Sequence, residues 1–221
     1  MKRLSFIILG IPIFCLFSCS ALKTNNIAPG YIDSYKAIKN ALFGFEDSNF
    51  SPELIKNIPY ASLLLRIGQG PTGLVILESI DGERLTWVSA DGVYLVTERG
   101  RIIETRGLPN NLISTLNKVP NFKDLFNYED KYLNQYYSYD KPEMRNLHVQ
   151  SKIEVGNVEE VQILDRKVLL RLIIEKGSNE YLGWKFTNKY WIDENYFIWK
   201  SEQYISPKLP KINVVITKKP S

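Results

Sequence analysis

Cysteine, histidine and methionine are almost missing from this chain, and each shortage excludes a class of chemistry. Two cysteines, one histidine and two methionines occur in 221 residues. A single histidine cannot build a multi-histidine metal centre. A Ser-His-acid triad would have to use His148, and no Gly-x-Ser-x-Gly elbow offers it a serine. His148 lies in an alternating stretch, so a position on a sheet surface is expected. No metal and no other cofactor is expected.

Charge of one sign is lacking too. Lysine and arginine number 28 against 24 aspartates and glutamates. Removing Lys2 and Arg3 with a leader leaves a net charge of about +2, and no electrostatic footprint for nucleic acid. Long hydrophobic runs are also absent. The apolar stretch 4–17 falls short of the roughly 20 residues a membrane-spanning helix needs, and Gly10 and Pro12 interrupt it.

What that stretch does carry is the order of a secretory signal: two cations, a short apolar core and small residues at a cleavage point. It ends Leu16-Phe17-Ser18-Cys19. This resembles the bacterial lipobox, in which the cysteine thiol receives a diacylglycerol and the chain is cut just before it. The expectation is a signal peptide over 1–18 and a membrane anchor through lipid on Cys19. Each buried methylene of the acyl chains would add about 0.8 kcal/mol. Cys15 would leave with the signal, so a lipidated Cys19 excludes any disulfide. Ser20, in place of Asp, favours the outer membrane of a Gram-negative bacterium, as in known lipoprotein families.

Residues 19–30 are polar, contain Pro29-Gly30, and read as a tether. Over 31–45, Tyr31, Tyr35, Ile38, Leu42 and Phe45 recur at spacings of three and four, which predicts an amphipathic helix covering a sheet. After Ser51-Pro52 the period becomes extended. Short β-rich runs fall at 61–67, 74–80, 84–89, 93–98 and 101–105. Asp81-Gly82, Asp91-Gly92 and Arg99-Gly100 punctuate them, and Asp-Gly between strands is a strong hairpin signal. A short helical or irregular break is expected over 109–126. Strands then resume at 132–139, 147–155, 159–164, 168–175, 184–192, 196–205 and 212–218. The fold expected is mainly β: antiparallel meander sheets forming a sandwich or barrel-like body. It would form one domain over 31–221, with halves at 31–108 and 130–221.

Gly68-Gln69-Gly70-Pro71-Thr72-Gly73 has the spacing of a dinucleotide loop, but Leu74-Val75-Ile76-Leu77 follows it where that motif needs a helix. A hairpin turn is the better reading. Paired carboxylates are the remaining catalytic option. Asp81, Asp91, Asp140 and Asp193 all stand beside turns, where Asp is favoured for backbone reasons. The aromatic residues are more informative. Trp87, Trp184, Trp191 and Trp199, with Tyr181, Tyr190 and Tyr196, cluster on the strands of both halves. Such rings either fill a β core or stack on sugars from an exposed face.

Several separated motifs occur in a familiar order. They are Ile58-Pro59-Tyr60-Ala61-Ser62, Gly73-Leu74-Val75-Ile76-Leu77, Trp87-Val88-Ser89-Ala90-Asp91 and Val96-Thr97-Glu98-Arg99-Gly100-Arg101-Ile102. Tyr190-Trp191-Ile192-Asp193 and Ile198-Trp199-Lys200-Ser201-Glu202-Gln203 close the series. The pattern resembles the YjbF (GfcB) family of lipoproteins from the lipobox to about residue 217, most weakly over 121–162. The resemblance implies an all-β outer-membrane lipoprotein linked to group 4 capsule or exopolysaccharide production, and the leading reading of the chain is a non-enzymatic, lipid-anchored protein that assists polysaccharide export. Its implied partners are a large outer-membrane β-barrel protein and small periplasmic proteins. It carries over no catalytic residue. A polysaccharide-binding module using exposed Trp and Tyr, and a glycan-modifying enzyme using two carboxylates, are the competing readings.

Overall fold

The computed structural model describes residues 50–117, 121–126 and 132–220. Cys19, the tether over 19–30 and the helix expected over 31–45 lie outside the described residues. A five-residue helix, α1 (Pro52–Lys56), opens the described chain. The Ser51 hydroxyl caps it by accepting from the Leu54 amide at 3.2 Å, and Pro52 fits the first turn because its missing N–H has no intrahelical partner there.

Five strands follow as a meander: β1 (Ser62–Ile67), β2 (Thr72–Asp81), β3 (Arg84–Ser89), β4 (Tyr94–Glu98) and β5 (Arg101–Arg106). Their bounds agree with the turn chemistry. Gly100 shows why: it has a φ of 74°, and a Cβ there would run into the Ile198 side chain. The glycine-rich segment before Thr72 is a β1–β2 turn, as its sequence context requires. Next come β6 (Leu112–Leu116), a short helix α2 (Phe122–Phe126), β7 (Tyr132–Asp140), β8 (Glu143–Ile163) and β9 (Arg166–Asn179). The last three strands are β10 (Trp184–Ile192), β11 (Ile198–Gln203) and β12 (Ile212–Lys218).

All twelve strands belong to one antiparallel sheet in the order β5-β4-β3-β2-β1-β12-β11-β10-β9-β8-β7-β6. Every neighbour is sequential except β1 and β12, which pair through Leu63↔Ile216 and Leu65↔Val214. The sheet curls until its edge strands β5 and β6 lie side by side, giving a nearly closed, barrel-like body. Across that seam the Leu112 amide donates to Thr105 Oγ1 at 3.0 Å. Strand alternation gives the body two ends. The terminal end holds the start of β1, the end of β12 and the β2–β3, β4–β5, β8–β9 and β10–β11 turns. The β6–β7 connection with α2 lies at the terminal end too, and the opposite end holds the β1–β2, β3–β4, β5–β6, β7–β8, β9–β10 and β11–β12 connections.

Two expectations are corrected. The break over 109–126 contains a strand, β6, whose register with β7 shifts between Leu112 and Ser114, so its residues do not alternate cleanly. The runs 147–155 and 159–164 are one strand. β8 pairs with β9 on both sides of a bulge between Val155 and Val158, and Gly156-Asn157 form that bulge.

Beyond the bulge the β8–β9 hairpin lies against β10 and β11. The Arg166 guanidinium sits 4.6 Å from the Trp199 ring centroid, and the Trp191 indole donates to Glu159. At the tip, Asp165 pairs with Lys56 of α1. The core follows strand alternation: Leu63, Leu65, Val75, Trp87 and Leu95 form one cluster with Ile212, Val214 and Ile216. A second cluster joins Leu133, Ile153, Ile173 and Ile192 to Phe122. Each such side chain contributes about 1.5–3 kcal/mol by leaving water.

Candidate functional site

At the terminal end the body opens into a cavity of about 360 Å³ walled by Trp87, Trp199, Tyr196, Phe197 and Ile198. The structure thus brings together two of the four tryptophans the sequence singles out. Their faces are mostly covered. Trp87 is 1% exposed and its indole N–H donates to Thr97 Oγ1 at 3.0 Å. Trp199 is 9% exposed. Trp191, 6% exposed, packs under the Lys200 ammonium, 4.6 Å from its ring centroid. Half-buried Trp184 starts β10 at the opposite end and packs against Phe186, with centroids 4.5 Å apart. Of the tyrosines, Tyr190 is core, Tyr196 lines the cavity and Tyr181 stands out in the β9–β10 turn.

The rim of the cavity is charged, and Glu83 on it and Asp193 behind its wall are both engaged. Glu83 pairs with Arg99 at 2.6 Å. Asp193 accepts four bonds. Its Oδ1 takes the Asn195 and Phe197 amides at 2.9 and 3.0 Å, and its Oδ2 takes the Trp199 indole at 3.0 Å and Lys219 Nζ at 2.9 Å. Burial favours the neutral acid, yet Lys219, the Phe197 amide and Trp199 outweigh it and hold the carboxyl below its ordinary range. Asp193 is therefore the brace of the β10–β11 turn. At the opposite end Asp140 accepts the backbone and side-chain amides of Asn111, both at 2.7 Å, and Asp91 accepts from Ser89. Asp81 closes β2.

Inside the body lies a polar cluster that sequence reasoning does not find. Glu175 on β9 and Arg101 on β5 form a buried ion pair, Nη1 to Oε2 at 2.8 Å. Tyr190 OH donates to the same oxygen at 2.8 Å and Asn188 Nδ2 at 3.3 Å, while Ser151 Oγ donates to Oε1 at 2.7 Å. The guanidinium is sandwiched between Phe122 and Tyr190, 5.0 and 4.9 Å from their centroids. Burial opposes both charges. Arg101 with the three hydroxyl and amide donors overcomes this at Glu175, whose carboxyl is held below its ordinary value, and Glu175 holds Arg101 protonated. The only sequence signal is a charge at an inward position of β9, between Ile173 and Gly177. Gly177 is required there, since a Cβ would enter the Phe186 ring.

His148 is exposed on β8 and its Nε2 meets Asn134 Oδ1 at 3.0 Å, a sheet-surface position as expected. Among the described residues no three His, Cys, Asp or Glu side chains are placed to hold a metal, and no helix is long and apolar enough to cross a membrane.

These features define an all-β, barrel-like protein braced by saturated carboxylates, with an aromatic-walled mouth. The family described as "Group 4 capsule polysaccharide lipoprotein gfcB, YjbF" matches residues 35–216, and the chain belongs to it. It is 24% identical to the uncharacterized lipoprotein GfcB of Escherichia coli (strain K12) over 186 residues, 83% of this chain and 84% of that one. It is 27% identical to the uncharacterized lipoprotein YjbF of the same strain over 208 residues, 93% of this chain and 92% of that one. The crystal structure of the hypothetical lipoprotein YmcC from Escherichia coli (K12) superposes with a TM-score of 0.70 at 21% identity. It covers 88% of this chain and 98% of that one, so the two share a fold.

Proposed function

We propose that this protein is a non-enzymatic lipoprotein that assists capsule or exopolysaccharide production or export. In this reading lipid on Cys19 anchors it to the periplasmic face of the outer membrane. It works there beside an outer-membrane β-barrel protein and periplasmic partners of the same system. The observation that carries the reading is the family match over 35–216. The geometry supports the non-enzymatic part. Asp193 and Glu175 each spend both oxygens on protein donors, and an acid held below its ordinary pKa is a poor proton donor near neutrality; Glu83 is held in an ion pair with Arg99.

Deletion of the gene tests this reading directly. Surface polysaccharide should fall, wild-type protein should restore it, and Cys19→Ser should not. The Cys19→Ser chain should also stay uncleaved and take up no fatty-acid label. Unchanged polysaccharide in the deletion strain would refute the role, and normal labelling of Cys19→Ser would refute the anchor. Glycan turnover abolished by one Asp→Asn change would replace the non-enzymatic reading with the enzymatic one.

A further inference from the structure

We propose that the outward face of β7–β10 is a binding surface for an acidic polysaccharide, one that carries uronate carboxylates. The inference rests on the capsule-associated reading above and deepens it by naming a surface and a glycan class.

Alternation along β7 turns Leu133, Gln135 and Tyr137 inward and Tyr132, Asn134 and Tyr136 outward. The register then builds rows across the sheet. Tyr132 faces Lys152, Asn134 faces Gln150 and Tyr136 faces His148. On β9, Lys176 continues the first row and Ser178 the second, and Thr187 and Lys185 on β10 extend them.

The two tyrosines are the exposed rings of this face. Tyr132 is 52% exposed and Tyr136 37%, whereas Trp87, Trp191 and Trp199 are covered. Four residues of strand separate them by about 13 Å. Aromatic faces at that spacing suit non-adjacent sugars of an extended chain, each stacking its C–H face on a ring. Between them Asn134 and Gln150 present amides that can donate to and accept from hydroxyls. His148 fixes this arrangement, bonded to Asn134 and with its ring 5.2 Å from that of Tyr136.

The charge of the face selects the glycan. Lys176 is neutralised by Glu154 and Lys211 by Glu202, each at 2.8 Å. Lys152, Lys185 and Lys189 have no carboxylate partner among the described residues. Lys152 Nζ stands over the Tyr132 ring, 5.9 Å from its centroid, so an acidic sugar that reaches this ring meets the ammonium as well. A neutral glycan would leave these ammonium groups without a role, whereas a uronate would pair with them. The neighbouring amides and hydroxyls make the face too polar to bury in a membrane or in a dry protein interface.

The test uses the mature lipoprotein in detergent micelles, titrated with oligogalacturonate and hyaluronan hexasaccharides against neutral cellohexaose and maltohexaose. The uronate chains should bind and the neutral ones should bind at least about tenfold more weakly. Tyr132→Ala and Tyr136→Ala should each weaken binding roughly tenfold, the scale of one lost stacking contact. Lys152→Gln with Lys185→Gln should weaken it and flatten its salt dependence. All four side chains point outward, so thermal melting should be unchanged; if a tyrosine variant melts early, the lysine pair decides. Failure of the uronate probes to bind, equal binding of neutral chains, or binding indifferent to these variants would each overturn the inference. So would equal binding of duplex DNA or anionic vesicles through the same residues. The gene-deletion phenotype is scored separately, so a protein that restores polysaccharide yet binds none of these probes overturns the surface and leaves the capsule role standing.

Discussion

The Arg101–Glu175 pair is the residue on which most depends and the one least visible beforehand. Taking two charges out of water costs several kcal/mol each, and only a fully bonded geometry repays it. Glu175 has that geometry, with four donors on two oxygens. Arg101 is less complete: its Nε and Nη2 find no acceptor among the described residues, and aromatic faces cover them instead. Glu175→Ala should therefore destabilise the fold by about 3–5 kcal/mol, because it strands a buried guanidinium. Arg101→Met combined with Glu175→Leu should recover most of that loss. Urea unfolding of the three chains checks both expectations, and a loss below about 1 kcal/mol for Glu175→Ala would refute the account. The pair was illegible because its partners lie 74 residues apart in sequence. A charge at the end of an apolar run looks like the end of a strand, so the run 168–175 stops at a residue that the structure buries almost completely. The tryptophans were half legible. Their number and strand positions are plain, but which face each ring takes depends on bulges, such as the register shift between Trp191 and Ile192.

At the scale of elements, local turn chemistry carried the reading. The β2–β3, β3–β4 and β4–β5 turns fall at Gly82, Gly92 and Gly100, each with positive φ, because that backbone requirement is written in one or two residues. Where pairing is irregular the sequence says less. β6 hides because its ladder with β7 slips, and its other neighbour, β5, meets it through side chains. The seam gives a direct test. Thr105 is fully buried and its hydroxyl is the acceptor for the Leu112 amide. Thr105→Val preserves shape and removes that acceptor, so it should cost about 1–3 kcal/mol and speed exchange of the Leu112 amide, while Thr105→Ser should not. Equal protection of Leu112 in the valine variant would mean that the seam is held by packing alone.

For the whole molecule, the carboxylates saturated by protein donors make the fold sensitive to acid. Glu175 ties β9 to β5 and β8 across the interior. Asp193 ties the β10–β11 turn to Trp199 and to Lys219 beyond β12. Both carboxyls are held below their ordinary values in the folded chain. The unfolded chain therefore binds protons first as pH falls, and acid favours unfolding. Their contribution is complete above the ordinary carboxylate value of about 4 and drains away as pH drops through the folded values. The melting temperature should be flat from neutrality to about pH 5 and fall steeply below about pH 4. Glu175 should dominate the fall because it is fully enclosed, whereas Asp193 is partly solvated and its ion pair with Lys219 is screened. Glu175→Gln lacks the titrating group, so it should melt lower at neutral pH yet lose less between about pH 4 and pH 2, with Asp193→Asn close to wild type in both respects. Melting curves across that range for the three proteins give the answer, and parallel acid slopes for wild type and Glu175→Gln would place the sensitivity elsewhere in the molecule.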